Sequence, residues 1–418
     1  MNVPAGLPKN PTMRDLSRWA ERMRGQGMPI CICAQGTVDV PVPTPLLQRL
    51  ERSARETTGH RYPPQIGSRE LRSAFARDLV ERERIITTLR VDEESAAGLR
   101  NNLLVCSGVN GGFIAALHFI KARFGPEARC AVIDPSYLYH DLDVLAVFGR
   151  GAVHVPSTDE WGLDRRAIEE ALASGVRALL VCNPANPHGL LLDDEELRFL
   201  VDVTARYGAF VLFDEVYAHI LEPGQRFRSP LHLFEELPSH VIVVRGWSKL
   251  LGMQGDRVGM LIAHEETLPA VLRWHDVVYI GVNAAAQLGL AAYLAQDPSD
   301  LERHTAELNQ IIQRNSELAA QAYEAAFGWK MDRGARTGRS TIYRMIRHDR
   351  ETDQEAMLHS LAHGIAAAPG NVFFGPRRGD PLTGEREPRT GTLRLSLAMP
   401  TEALKAGADQ LRSGKRLF

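Results

Sequence analysis

The segment Val241 to Met260 reads VIVVRGWSKLLGMQGDRVGM, and the rest of the chain is arranged around it. Its first four residues are β-branched, as in a strand buried in a parallel sheet, and Gly246 breaks the run into a turn that presents Lys249. A lysine just beyond a buried strand is a candidate Schiff-base former, because partial desolvation disfavours its charge and frees an amine that can attack an aldehyde. Arg257 follows, flanked by Gly255 and Gly259. That setting suits a phosphate, since the guanidinium fork grips oxyanions and glycine lets backbone come close. Taken alone, the stretch fits a surface lysine after an edge strand equally well.

Working outward, the same pattern recurs. Apolar runs at 103–106, 131–133, 179–182 and 211–213 each give way at once to polar residues, as the run before Lys249 does. Five such runs place the chemistry on the carboxyl edge of an open α/β sheet, where ligands bind. After the first run, Ser107-Gly108-Val109-Asn110-Gly111 reads as a glycine-bearing turn before a helix starting at Gly112, and free N–H groups there would receive an anion. The turn is not GxGxxG, which disfavours a dinucleotide. The second run leads to Asp134-Pro135-Ser136-Tyr137, the third to Asn183-Pro184-Ala185-Asn186-Pro187-His188-Gly189 and the fourth to Asp214-Glu215-Val216-Tyr217. A carboxylate ending a buried strand, as Asp214 does, needs a cationic partner, because an unpaired buried charge is expensive.

Upstream, residues 10–24 carry Met13, Leu16, Trp19, Ala20 and Met23 at helical spacing, and a Pro-rich loop containing Gly36 follows. Tyr62 and Gly67 lie in a loop before a helix that Ser68 caps, with Leu71, Phe75 and Leu79 on one face. Downstream, a helical stretch at 289–321 is expected to cross to a smaller domain beginning near residue 325. Residues 338–346 alternate like a strand, 364–374 read as a strand and turn, and a polar loop fills 375–391. At 392–397 the alternation puts Arg394 on the face opposite Leu393 and Leu395, where an arginine needs an anion.

Lys plus Arg number 49 and Asp plus Glu 51, a net charge of −2, which gives no electrostatic case for nucleic acid or a membrane surface. Small soluble partners are expected. The five cysteines form no CxxC pair; Cys31 and Cys33 would share a strand face, but no second ligand pair accompanies them, so no metal is expected. The N-terminal residues lack an apolar signal region, and no stretch reaches the ~20 apolar residues of a membrane span, so a cytoplasmic location is expected.

Ser248-Lys249 with Arg257 in GxRxG, Asn186 in NPANPHG and Asp214 in DExY together resemble the fold type I pyridoxal-phosphate enzymes of the aspartate aminotransferase superfamily, over roughly residues 30 to 410. The resemblance implies an α/β fold: a mainly parallel, seven-stranded-type sheet flanked by helices in a large cofactor domain at 46–300. A smaller α+β domain would come from 301–418 and an N-terminal arm at 1–45. It implies pyridoxal 5'-phosphate held on Lys249 as a Schiff base, with its phosphate on the backbone amides of Gly108, Val109 and Asn110 and on Ser248 and Arg257. Tyr137 would stack on the pyridine ring, Asp214 would keep the ring nitrogen charged, and Asn186 and Tyr217 would bond the ring hydroxyl. Gly36 would line the substrate pocket, and Arg394, beside Asn186, would clamp the α-carboxylate. Tyr62 would cross to the partner's phosphate in a homodimer with shared active sites.

The implied activity is an amino-acid aminotransferase, with Lys249, Asp214 and Tyr217 as catalytic residues. A pyridoxal-phosphate lyase, cyclase or oxidase of an amino acid is the alternative, since the same motifs serve all of these. A cofactor-sensing transcription regulator is disfavoured, as only about thirty residues precede the match, too few for a winged helix. Nucleotide-sugar aminotransferases need no carboxylate clamp, so Arg394 argues against that class. Arg336, Arg339, Arg377 and Arg378 are candidates to meet an acidic substrate side chain. Two departures stand out: Gly246 occupies the position of a phosphate-bonding Ser or Thr, and His188 that of the threonine in NPTG.

Overall fold

A run that is apolar on both faces is stable only where both faces are covered, and Val241–Gly246 is such a strand, with Val241 to Val244 completely buried. The computed structural model describes residues 3–8, 11–96, 98–334, 336–375 and 390–418. Val241–Gly246 pairs in parallel with Phe210–Asp214, which pairs with Val176–Cys182, then Arg129–Ile133, then Val153–Val155. On its other side lie Val258–Ala263 and then Leu103–Ser107, which completes a seven-stranded sheet. Alternate residues face two cores: Leu104, Leu180 and Ile242 join the core that includes Phe113 and Val271, while Leu103, Leu179 and Val241 point into the other.

Val258–Ala263 is the one strand of this sheet that runs against its neighbours, with Gly259 opposite both Gly246 and Cys106. It was not legible as a strand because Val258-Gly259 follows the glycine-arginine turn without a break. Its direction returns Arg257 to the edge where Gly246 and Ser107 end, the same edge that carries Asp134, Cys182 and Asp214.

The expected turn at Ser107–Gly111 is replaced by a helix, Gly108–Phe124, that begins four residues earlier than expected. Gly108, at φ +64°, makes the corner in a single residue, a conformation that costs glycine little. Two helices occupy the stretch expected as one, Ala284–Gln296 and Pro298–Phe327, because Pro298 starts a new helix at Asp297. The N-terminal helix is Met13–Gly25, fixed by a capping box of Thr12 and Asp15, and Ser68 caps Arg69–Glu81 as expected.

A second sheet is antiparallel, ordered Lys330–Met331, Tyr343–Arg347, Thr392–Ser396 and Ala368–Pro369. The strand expected at 338–346 is confined to Tyr343–Arg347, since Gly338 and Thr341 both hold positive φ and keep the preceding residues in a turn. Cys31–Ile32 pairs in parallel with Ile365–Ala366, which ties the N-terminal segment to this C-terminal part. Arg377 and Arg378 lie outside the described residues. Among the described residues no helix is long and apolar enough to cross a membrane.

Candidate active site

Asp214 ends its strand in register with Cys182 and Val244, so the backbone itself carries the carboxylate to the sheet edge, where it is buried. Its Oδ2 lies 3.1 Å from His140 Nε2, and its Oδ1 accepts the Val216 N–H at 3.1 Å. Asn186 donates to the Tyr217 hydroxyl at 3.4 Å, and that hydroxyl donates to Tyr343 at 3.2 Å. Burial holds the phenols of Tyr217 and Tyr137 well above the usual range, so both stay neutral. The Lys249 ammonium donates to the carbonyl of Gly36 in the Pro-rich loop, and a Cβ on Gly36 would collide with the Tyr343 hydroxyl. Lys249, Ser248, Asp214, Tyr217, Tyr137 and Arg257 line one cavity of about 590 Å³, mouth included.

At one end of this cavity the helix Gly108–Phe124 starts without a side-chain cap, and first-turn N–H groups have no acceptor within a helix. Gly108 donates its own N–H to the Arg257 carbonyl at 3.0 Å, which leaves the amides of Val109 and Asn110. Arg257 sits at φ +57° and gives its guanidinium only to carbonyls, Gln254 at 3.1 Å and Ser107 at 3.4 Å. A Cβ on Gly108 would lie 2.5 Å from Arg257 Nη2, so glycine is what admits the guanidinium. An uncapped helix end beside a cation is an anion site. A Cβ on Gly246 would come within 2.8 Å of Val109 Cγ2, so a valine methyl fills the space of the missing Ser or Thr side chain.

Outside that lining, Arg394, 2% exposed, lies between the rings of Tyr343 at 4.1 Å and Phe373 at 4.4 Å, and the Tyr343 hydroxyl accepts from Tyr217 of the cavity wall. Arg394 donates to Asn186 Oδ1 at 3.2 Å and to the Ala34 carbonyl at 2.7 Å, its Nε has no partner among the described residues, and Met13 Sδ is 3.6 Å from Nη2. Burial lowers its pKa, the signature of a cation awaiting a counter-ion.

Some predicted residues stand elsewhere. His188 lines a neighbouring chamber with Trp161 and Ser136, and burial lowers it to about 4, so its ring is neutral. Tyr62 is 87% exposed, in a groove with Tyr279 and Gly281. Arg336 pairs with Glu196 and Arg339 approaches Glu222. His140, Asp143, Gln254 and Tyr343 were not singled out from the sequence. For His140 a signal existed, its place three residues after Tyr137 on the face of the same helical turn.

A lysine on the carboxyl edge of the sheet, a buried carboxylate across the cavity and a cationic helix end define a class, the pyridoxal-phosphate enzymes built on an α/β sheet. The chain belongs to the aminotransferase class I and II family, which it matches over residues 34–411; it is an aminotransferase, and the family's cofactor is pyridoxal phosphate. It is similar to a probable aspartate/prephenate aminotransferase of Aquifex aeolicus, 23% identical over 97% of this chain and 96% of that one. An aromatic amino acid aminotransferase of Thermobifida fusca is 31% identical over 50% of this chain and 58% of its own length. Among solved structures, the aspartate aminotransferase from Thermus thermophilus with maleate superposes with a TM-score of 0.78 at 20% identity, covering 97% of each chain. The residues present fit the cofactor: the uncapped helix end and Arg257 suit its phosphate, and Asp214 suits a protonated ring nitrogen.

Proposed function

We propose that the chain moves the amino group of an amino acid with a free α-carboxylate to an oxo acid, using Lys249 as the amine that carries the cofactor. Bound in this cavity, pyridoxal phosphate supplies an aldehyde for amines and a protonated ring that withdraws electrons from the substrate Cα. Asp214, oriented by His140, holds the proton on the ring nitrogen, while Asn186 and Tyr217 orient the ring hydroxyl and Tyr137 covers the ring face. Val109 and Asn110 amides, Ser248 and Arg257 bind the phosphate; the N–H of Gly108 is engaged with Arg257, so Gly108 acts by giving room. Lys249 would hold the cofactor through its Nζ, and the same nitrogen, when free, would serve as general base for the substrate Cα proton. The Gly36 carbonyl, which accepts from Lys249 Nζ, holds that nitrogen in the cavity.

The observation that carries the reading is Arg394, a buried guanidinium with no carboxylate against it among the described residues. A substrate α-carboxylate supplies the missing charge, and Asn186 stands beside it. Arg336 and Arg339, two of the four arginines that are candidates to meet an acidic substrate side chain, are engaged with Glu196 and Glu222.

The finer reading is a cytoplasmic homodimer, with a cofactor domain at 46–300, a small domain at 301–418 and an arm at 1–45. Five free cysteines suit a reducing compartment. Tyr62 would reach the phosphate in a second copy, and the exposed Val277, Val278 and Ile280 form an apolar strip that a second copy would cover.

The test is a panel of amino acids, followed by mass spectrometry with and without an oxo-acid acceptor. Oxo-acid formation that requires the acceptor, with the amino group recovered in a new amino acid, is expected. Ammonia or a cyclised product without an acceptor would replace this reading with the lyase, cyclase or oxidase alternative.

A further inference from the structure

Asp143 takes no part in the chemistry above, yet it sits in the same cavity. It lies one helical turn after His140 on Leu138–Phe148, is 6% exposed, and lines the space with Asp214, Lys249 and Arg257. Its Oδ1 accepts from Asn110 Nδ2 at 3.0 Å, and Asn110 belongs to the uncapped first turn of Gly108–Phe124. Among the described residues no cation forms a salt bridge with it.

The groups that face Asp143 explain why a second carboxyl is unusual here. From its own helix comes His140, already turned to Asp214. Helix Gly108–Phe124 offers only the neutral Asn110. The strand edge presents Asp214, and the turn beyond Val241–Gly246 presents Lys249 and Arg257, both bonded to carbonyls. The phenols of Tyr137 and, from Leu268–Tyr279, Tyr279 also face it, and an ionised Asp143 would push both up. Burial, with Asp214 adding to it, pushes the Asp143 carboxyl up to about 8. An ionised Asp143 would add a further anion beside Asp214 and a phosphate, with neither Lys249 nor Arg257 paired to it, and like charges in a poorly solvated site repel strongly. The phosphate end has little reserve, because Val109 fills the place where a hydroxyl from position 246 would bond.

We propose that Asp143 holds a proton in the loaded site and that losing this proton loosens the phosphate end of the cofactor. Asp143 is thus a positioning residue that makes cofactor retention depend on pH. The inference rests on the reading that this cavity binds pyridoxal phosphate by its phosphate.

The test compares pyridoxal-phosphate dissociation constants of wild-type protein and Asp143→Asn, each stripped of cofactor, at pH 7 and pH 9. A carboxyl with its midpoint at about 8 is roughly one-tenth ionised at pH 7 and nine-tenths at pH 9, so wild-type affinity relative to the variant should fall about tenfold. Taking the ratio cancels the titrations of Lys249 and of the cofactor phosphate, which both proteins share. Asparagine preserves shape and the acceptor for Asn110, and Asp143→Ser is a second neutral variant expected to behave alike. Pyridoxal, which lacks the phosphate, should give a flat ratio. Full cofactor uptake with a pH-independent ratio overturns the proposal alone, as does an equal slope with pyridoxal. Absence of uptake at both pH values overturns the reading of the cavity and the proposal with it.

Discussion

Arg394 has two ring faces, a carbonyl and an amide oxygen against it, and none of these bears a charge. A charge-assisted pair with a substrate carboxylate is worth ~1.5–3 kcal/mol, so Arg394→Ala should lower kcat/KM by roughly ten- to a hundredfold. Wild-type enzyme should prefer free acids to their methyl esters, and the variant should lose that preference; a variant that keeps it would place the carboxylate elsewhere. Gly36 gives a second test. Gly36→Ala drives a methyl into the Tyr343 hydroxyl, an overpacking of about 1–3 kcal/mol, and adding Tyr343→Phe should restore stability in a denaturant melt because the colliding oxygen is gone. Lys249, Asp214 and Asn186 were legible in the sequence because each stands in a short motif at or just past a strand end, and Arg394 because it is a cation within an alternating apolar strand. His140, Asp143 and Tyr343 were not, because no motif marks them and they become neighbours of the site only through tertiary packing.

Strand Val241–Gly246 and helix Gly108–Phe124 meet where Gly246 faces Val109, and the two positions are coupled by volume. Gly246→Ser alone should weaken cofactor binding through the clash. Val109→Ala with Gly246→Ser opens room for a hydroxyl to donate to the phosphate, worth ~1.5–3 kcal/mol, so that pair should bind pyridoxal phosphate about tenfold more tightly than wild type. No gain in the double variant would mean that the phosphate lies away from position 246. The back of the same strand carries Arg245, buried between Glu83 and Glu215. Burial opposes ionisation of Glu83, but Arg245, His219 and Arg82 outweigh it and hold that carboxyl well below its usual range. Its contribution is therefore fully present above the unfolded value of about 4.3 and lost as the pH falls below it. Glu83→Gln should lower stability at pH 7 by ~3–5 kcal/mol in denaturant unfolding and flatten the decline toward pH 3. An unchanged acid limb would remove Glu83 from that role. Five strands of the large sheet were legible as apolar runs ending in polar residues, whereas Val153–Val155 is too short to stand out and the returning strand Val258–Ala263 was masked by the glycines that let Arg257 approach Gly108.

The whole molecule gathers residues from several separate segments onto one sheet edge, while Tyr62 and the apolar residues Val277, Val278 and Ile280 lie exposed on the surface, where the proposed second copy would meet them. If Tyr62 completes a partner's phosphate site, Tyr62→Phe and Lys249→Ala subunits, each impaired, should regain activity when mixed, since one site per heterodimer is intact. No recovery after demonstrated subunit exchange would assign Tyr62 to its own chain or to none. The place of the lysine on this edge followed from motif order, while the apolar strip did not, because exposure is a property of the folded surface. Borohydride reduction of the cofactor-loaded protein, followed by peptide mass mapping, tests the central claim most directly. One pyridoxyl group per chain on the peptide bearing Lys249, with Lys249→Ala unlabelled and inactive, is the predicted result. A label on another lysine, or turnover retained by Lys249→Ala, would contradict it.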